Sequence, residues 1–272
     1  MSTVGGECGA RDNSNTYSML LKYLYMFIMS VLTAAPVTPV SALPSTTSPL
    51  PSSSPVEVVT IGTSVKGTPI IARRYGTATG PTVLIVGQIH GSEKGSLQVI
   101  KGIVDGFASE SSAMNVWVID VANPDGDVKN LRTNSREVDL NRNFPTSDWK
   151  LSSRGRYFSG KSPMSEPETK ALVGFIEKYK PVLSVWYHQV GPVVDPHPKG
   201  NPVIMRTYAR VVGYPYSSAR CAGSCVGTAT TFHSETVTNA TAFVVELPAK
   251  VTKDHVKRNV EALRAVFAVL SR

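Results

Sequence analysis

Cysteine is scarce in this 272-residue chain, with only Cys8, Cys221 and Cys225 present. Cys221 and Cys225 have no second pair to complete four ligands, which argues against a structural zinc site built on thiolates. Long hydrophobic runs are lacking as well. The apolar stretch at residues 23–35 is shorter than the ~20 residues a spanning helix needs. Blocks of one charge are also missing. Lys and Arg number 28 against 20 Asp and Glu, a net charge of +8 spread along the chain. Spread charge fits a solvated surface, or attraction to an anionic cell envelope, and disfavours a nucleic-acid partner. No internal repeat is visible.

What is present divides the chain in three. Residues 1–18 are polar and aperiodic, and Met19-Leu20-Leu21-Lys22 then leads into the apolar run and on to Val40-Ser41-Ala42. A lysine, a short apolar core and a small-x-small site describe a secretory signal peptide. Residues 1–42 are therefore expected to be a signal with an amino-terminal extension, Met19 being a second candidate start. An uncleaved membrane anchor is the alternative, and the only membrane contact expected. Residues 43–55 (LPSTTSPLPSSSP) form a Pro/Ser/Thr linker that cannot build a core. Residues 56–272 carry all the alternating strand and helix signals and are expected to be one domain, monomeric and secreted or held at the cell envelope. Export favours oxidised thiols, so Cys221 and Cys225 are expected to close a local disulfide loop. The short linker leaves no room for a folded inhibitory propeptide.

Within the domain, residues 57–60 and 69–73, joined by Lys66-Gly67, read as a hairpin. Residues 82–86 (TVLIV) read as a buried strand, followed by Leu97, Ile100, Ile103, Val104 and Phe107 at helical spacing. Residues 115–121, 182–187 and 242–245 are further strand runs. Asn123-Pro124-Asp125-Gly126 reads as a turn. Ser165-Glu166-Pro167-Glu168 has the form of a capping box opening a helix, and residues 253–270 make an amphipathic helix. Strands alternating with helices imply an α/β fold, a largely parallel mixed sheet sandwiched between helices.

Polar residues follow each strand run. His90 and Glu93 form an H-x-x-E pair where the first core strand meets its helix. His188 follows residues 182–187, Glu246 follows residues 242–245, and Arg132, Asn141 and Arg142 follow the Asn123 turn. Strand carboxyl ends are where open α/β sheets carry ligands. Each residue alone has an ordinary structural explanation: a solvated loop for His90 and Glu93, a core histidine for His188, a surface carboxylate for Glu246, solvated charges for the arginines. Their joint order overrides these. His197, in a Pro-rich loop, reads equally as surface or cleft, and His233 stays unassigned.

The ordered set H-x-x-E, NPDG, R-x-N with DLNRNFP, SEPE, a strand-end His and ELP resembles the zinc metallocarboxypeptidases of the carboxypeptidase A superfamily, over residues 80–250. Within it, the compact 132–142 segment and the Gly227-Thr228-Ala229-Thr230 stretch are most similar to short bacterial murein peptide amidases. The resemblance implies one zinc ion held by His90, Glu93 and His188, with a fourth position for water. It implies Glu246 as general base, Arg132 as the stabiliser of a developing oxyanion, and Asn141 with Arg142 as the grip on a substrate carboxylate. The implied partner is a peptide, derived from peptidoglycan and cut before a diamino acid. A general L-peptide carboxypeptidase, an N-acyl amino acid hydrolase and a silent envelope-binding protein are the competing readings. One departure stands out: the family's mobile tyrosine ahead of the catalytic glutamate is not assigned, since Tyr208, Tyr214 and Tyr216 precede the Cys221–Cys225 loop and the stretch nearest Glu246 offers only Phe232 and His233.

Overall fold

The computed structural model describes residues 54–108, 113–218 and 225–272. The expected signal, most of the linker and Cys221 lie outside the described residues. Seven strands form one mixed sheet: β1 (Glu57–Thr63), β2 (Pro69–Gly76), β3 (Thr82–Val86), β4 (Asn115–Ile119), β5 (Leu183–Gln189), β6 (Val193–Pro196) and β7 (Thr241–Leu247), in the order β1-β2-β4-β3-β5-β7-β6. The four central strands β4, β3, β5 and β7 run parallel, and antiparallel strands flank them on both sides. The expected α/β sandwich with a largely parallel sheet is the observed fold. Among the described residues no helix is long and apolar enough to cross a membrane.

Alternation along the strands builds two cores. Val83, Ile85, Val116, Val118, Val185 and Tyr187 face helices α1 (Gly95–Ala108), α4 (Pro202–Val212) and α6 (Lys253–Leu270). Leu84, Val86, Trp117, Ile119 and Trp186 face α3 (Pro167–Tyr179) and α5 (Ala229–Thr236). Central strands covered on both faces read as continuous apolar runs, which is why residues 82–86 stood out. Each fully buried aliphatic side chain contributes about 1.5–3 kcal/mol, so the two cores dominate the stability of the sheet.

Three local expectations change. Asn123 caps a short helix α2 (Pro124–Lys129), its side chain accepting from Gly126 N at 2.9 Å, so the NPDG turn is a helix start. Helix α3 has no capping box. Its cap position is Glu166, which makes no side-chain cap bond. Ser165 Oγ donates instead to Glu166 Oε1 at 2.8 Å, while Glu168 accepts from Val65 N and Asn134 Nδ2. Strands β5 and β7 also run past their apolar residues, so His188 and Glu246 lie inside them rather than after them.

Candidate metal centre

Chain order places this site. After β3 the chain crosses to β4 on one side, and β5 later pairs with β3 on the other. Helices leave a crevice at such a switch point, at the carboxyl ends of the strands. His90 follows β3 there, and His188 stands near the end of β5. Between them, Glu93 N bonds His90 O at 3.0 Å, a tight turn that brings Glu93 back beside His90 before α1 begins. The turn needs Gly91, because a Cβ there would stand 2.0 Å from the Gly126 carbonyl carbon.

His90, Glu93 and His188 are all buried and their ligand-type atoms lie within 4.8 Å of one another. Nδ1 of His90 is 2.8 Å from Glu93 Oε1 and 3.0 Å from His188 Nδ1, and Glu93 Oε2 is 3.0 Å from His188 Nδ1. His90 Nε2 faces Asp139 Oδ1 at 2.9 Å. When neutral His90 donates its Nε2 proton to Asp139, its Nδ1 lone pair faces inward, toward Glu93 and His188. Glu93 Oε2 is buried with only His188 Nδ1 close to it, 3.0 Å away and without the angles of a well-formed hydrogen bond. Acceptors gathered this closely need a cation, a proton or a metal ion, among them. Two imidazoles and a carboxylate are a donor set suited to zinc, so the residues fit that metal.

The surrounding charges agree. Burial opposes the charged form of His90, but Asp139 and Glu93 outweigh it and hold its pKa above the ordinary histidine value. Burial likewise works against the Glu93 carboxylate, yet His188 and His90 keep it below the usual carboxylate range. Asp139 also anchors Arg132, which donates from Nε and Nη2 to Oδ2 at 3.0 and 2.8 Å and points Nη1 at Glu93 Oε1 from 3.4 Å. A residue bonded to a metal ligand through its second ring nitrogen fixes tautomer and orientation. Asp139 was part of the motif in the sequence but received no role there. Its position two residues before Asn141 was the available signal.

The other expected residues gather on the same side. Glu246 pairs in register with His188 across β5 and β7, which puts both side chains on one face of the sheet. Asn141 is buried and accepts from Ala229 N at 2.9 Å. Half-buried Arg142 donates to Asn141 O at 2.6 Å and Cys225 Sγ at 3.2 Å. A cavity of about 560 Å³ adjoins Asn141 and is lined also by Asp148, Lys150, Asp195, His197 and Thr230. His197 is thus a cleft residue. His233 is not: it is buried, its Nδ1 paired with Ser184 Oγ at 2.6 Å and its Nε2 with Pro181 O at 2.7 Å.

Residues 51–262 match the family model described as zinc carboxypeptidase. The chain belongs to this family. Zinc carboxypeptidases are peptide hydrolases using one zinc ion, and His90, Glu93 and His188 are the residues here that fit it. Murein peptide amidase A of Escherichia coli K12 is 32% identical over 139 residues, 47% of this chain and 57% of that protein. Murein peptide amidase A of Vibrio campbellii is 29% identical over 146 residues, 49% of this chain and 58% of its own. The chain spans little more than half the length of these curated relatives. Among solved structures, the murein-tripeptide amidase from Escherichia coli O157 matches with a TM-score of 0.65 at 24% identity, over 80% of this chain and 93% of that one. Carboxypeptidase A from Helicoverpa armigera matches with a TM-score of 0.68 at 20% identity, over 80% of this chain and 70% of that one. Both likenesses concern the zinc carboxypeptidase fold.

Proposed function

We propose that this protein is an exported zinc carboxypeptidase that hydrolyses murein peptides at the amide bond between γ-D-glutamate and a terminal diamino acid. The observation that carries the reading is the convergence of His90, Glu93 and His188 on one point, with Glu246 in register beside His188. Similarity to murein peptide amidases supports the choice of substrate. Zinc held by that triad supplies Lewis acidity, acidifying a water and polarising the scissile carbonyl. Glu246 accepts the proton of the attacking water and returns it to the leaving nitrogen. Arg132, fixed by Asp139, stabilises the negative charge that builds on the carbonyl oxygen. Arg142 and Asn141 hold the terminal carboxylate, for which a planar guanidinium is suited. Diaminopimelate, one such diamino acid, carries both an ammonium and a carboxylate at its far end. The adjoining cavity offers Asp148 and Asp195 to the first and Lys150 to the second.

Export rests on the signal-like segment at residues 19–42, and a Cys221–Cys225 disulfide and a monomeric, envelope-located enzyme go with it. The test uses the zinc-loaded protein and a Glu246→Gln variant. Both are incubated with L-Ala-γ-D-Glu-diaminopimelate and with a blocked L-dipeptide, and products are read by mass. Diaminopimelate release is expected from the wild type, with the variant slower by roughly 10²–10⁴-fold while still holding one zinc. Cleavage of the L-dipeptide alone would replace the murein reading with that of a general carboxypeptidase. Bound zinc with neither substrate cut would leave a silent envelope-binding protein.

A further inference from the structure

The two arginines of the site share an aromatic neighbour that the motifs do not include. The Tyr157 ring centroid is 5.2 Å from the Arg132 guanidinium carbon and 5.6 Å from that of Arg142, with Arg156 at 5.7 Å. The side chain is 53% exposed, so the ring covers the arginines from the solvent side. Its position is built rather than incidental. Asp139 N donates to Phe158 O at 2.8 Å, and Asn143 Nδ2 donates to Ser159 O at 2.7 Å. Phe158 and Ser159 are buried, and Ser152 Oγ donates to Tyr157 O at 2.9 Å. The loop that carries Tyr157 is therefore pinned to the same short segment that supplies Asp139, Asn141 and Arg142.

The arginine pair needs such a neighbour. Arg142 forms no ion pair among the described residues, its guanidinium being held by a carbonyl and a sulfur. Arg132 is a like charge close by. An aromatic face attracts both guanidiniums without neutralising either, whereas a carboxylate in the same place would compete with a substrate anion. Resting on the reading of Arg132 and Arg142 given above, we propose that Tyr157 is a positioning residue. It holds the two guanidiniums as a pair, Arg142 open to the substrate's terminal carboxylate and Arg132 to the developing oxyanion, both shielded from bulk water.

Two measurements on the zinc-loaded protein test this, with Tyr157→Ala and Tyr157→Phe compared with the wild type. Capture of Arg142 and Arg132 by phenylglyoxal, mapped by mass, needs no substrate. Tyr157→Ala should speed capture of Arg142 several-fold, and Tyr157→Phe, which keeps the ring, should restore the wild-type rate. In turnover of the murein tripeptide, Tyr157→Ala should raise KM several-fold through Arg142 and lower kcat several-fold through Arg132, so that kcat/KM falls at least about tenfold, as expected for losing two cation–π contacts, with thermal stability unchanged. Wild-type arginine reactivity in Tyr157→Ala overturns the inference whether or not the protein cuts its substrate, and so does a Tyr157→Phe that behaves like the alanine variant. If cleavage proceeds but KM does not move in Tyr157→Ala, the positioning role fails as well. Altered arginine reactivity in a protein that cleaves neither peptide would sink the functional reading and leave the pairing of Tyr157 with the arginines standing.

Discussion

Asp139 is the side chain on which most of the site depends. It is fully buried and serves His90 Nε2, two N–H groups of Arg132 and the backbone N–H of Asn141. Burial alone would raise its pKa, but His90, Arg132 and Arg142 hold it below the usual carboxylate range, so it stays charged at working pH. Replacing it by asparagine removes that charge while keeping the volume. Asp139→Asn should weaken zinc binding about 10–100-fold, the usual cost of losing a carboxylate behind a ligating histidine. Competition against a chromophoric chelator gives the number, and a wild-type zinc affinity would show that Asp139 does not set the ligand. The three candidate zinc ligands were legible because their type and spacing mark them. Asp139 and Tyr157 were not, because what matters about them is contact with His90, 49 residues away, and with two arginines.

At the scale of elements, runs of aliphatic residues gave the strands and polar residues misled about their ends. His188 and Glu246 read as the residues after β5 and β7 because they break the apolar pattern, yet backbone pairing continues through both. From β6 to α5 the sequence suggested loops and single residues but no strand or helix. Strand β6 has four residues, and α5 (ATTFHSET) has little apolar character to betray a helix. What ties α5 to the sheet is in part a buried hydrogen-bond chain. Trp186 Nε1 donates to Ser184 Oγ at 2.9 Å, Ser184 Oγ to His233 Nδ1, and His233 Nε2 to Pro181 O. That chain requires neutral His233. Burial pushes its pKa down to about 4, the Pro181 carbonyl opposing and His197 adding to the depression. Between the unfolded value of about 6.5 and the folded value of about 4, the unfolded chain binds a proton that the folded protein does not. Stability therefore rises with pH across that window and is lost as pH falls through it, by on the order of 3 kcal/mol in total. Urea midpoints for the wild type and His233→Gln, measured from pH 7 to pH 4, should diverge in slope. Parallel profiles would show that His233 carries no such linkage.

For the whole molecule, the question is whether zinc holds the fold or only the site. Composition and alternation made the sandwich legible because each strand of the parallel centre is covered on both faces, and those two cores contain none of the three candidate ligands. The sheet therefore has its own source of stability, unlike small zinc domains that unfold without metal. The candidate ligands meet only at the rim, where His90 and Glu93 follow β3 and His188 stands near the end of β5. Without zinc these side chains, 2.8–3.0 Å apart, are held together only by shared protons, which favours local loosening of the 90–93 turn rather than collapse of the sheet. A ligand that binds only the folded state stabilises it by about 4 kcal/mol at a thousandfold excess over Kd. At about 2–4 °C per kcal/mol for a domain of this size, chelation should lower Tm by roughly 10 °C. The far-ultraviolet circular dichroism should stay unchanged at 25 °C, and zinc added back should restore both Tm and activity. Loss of secondary structure on chelation would mean that the rim, and not the two cores, decides whether this sheet forms.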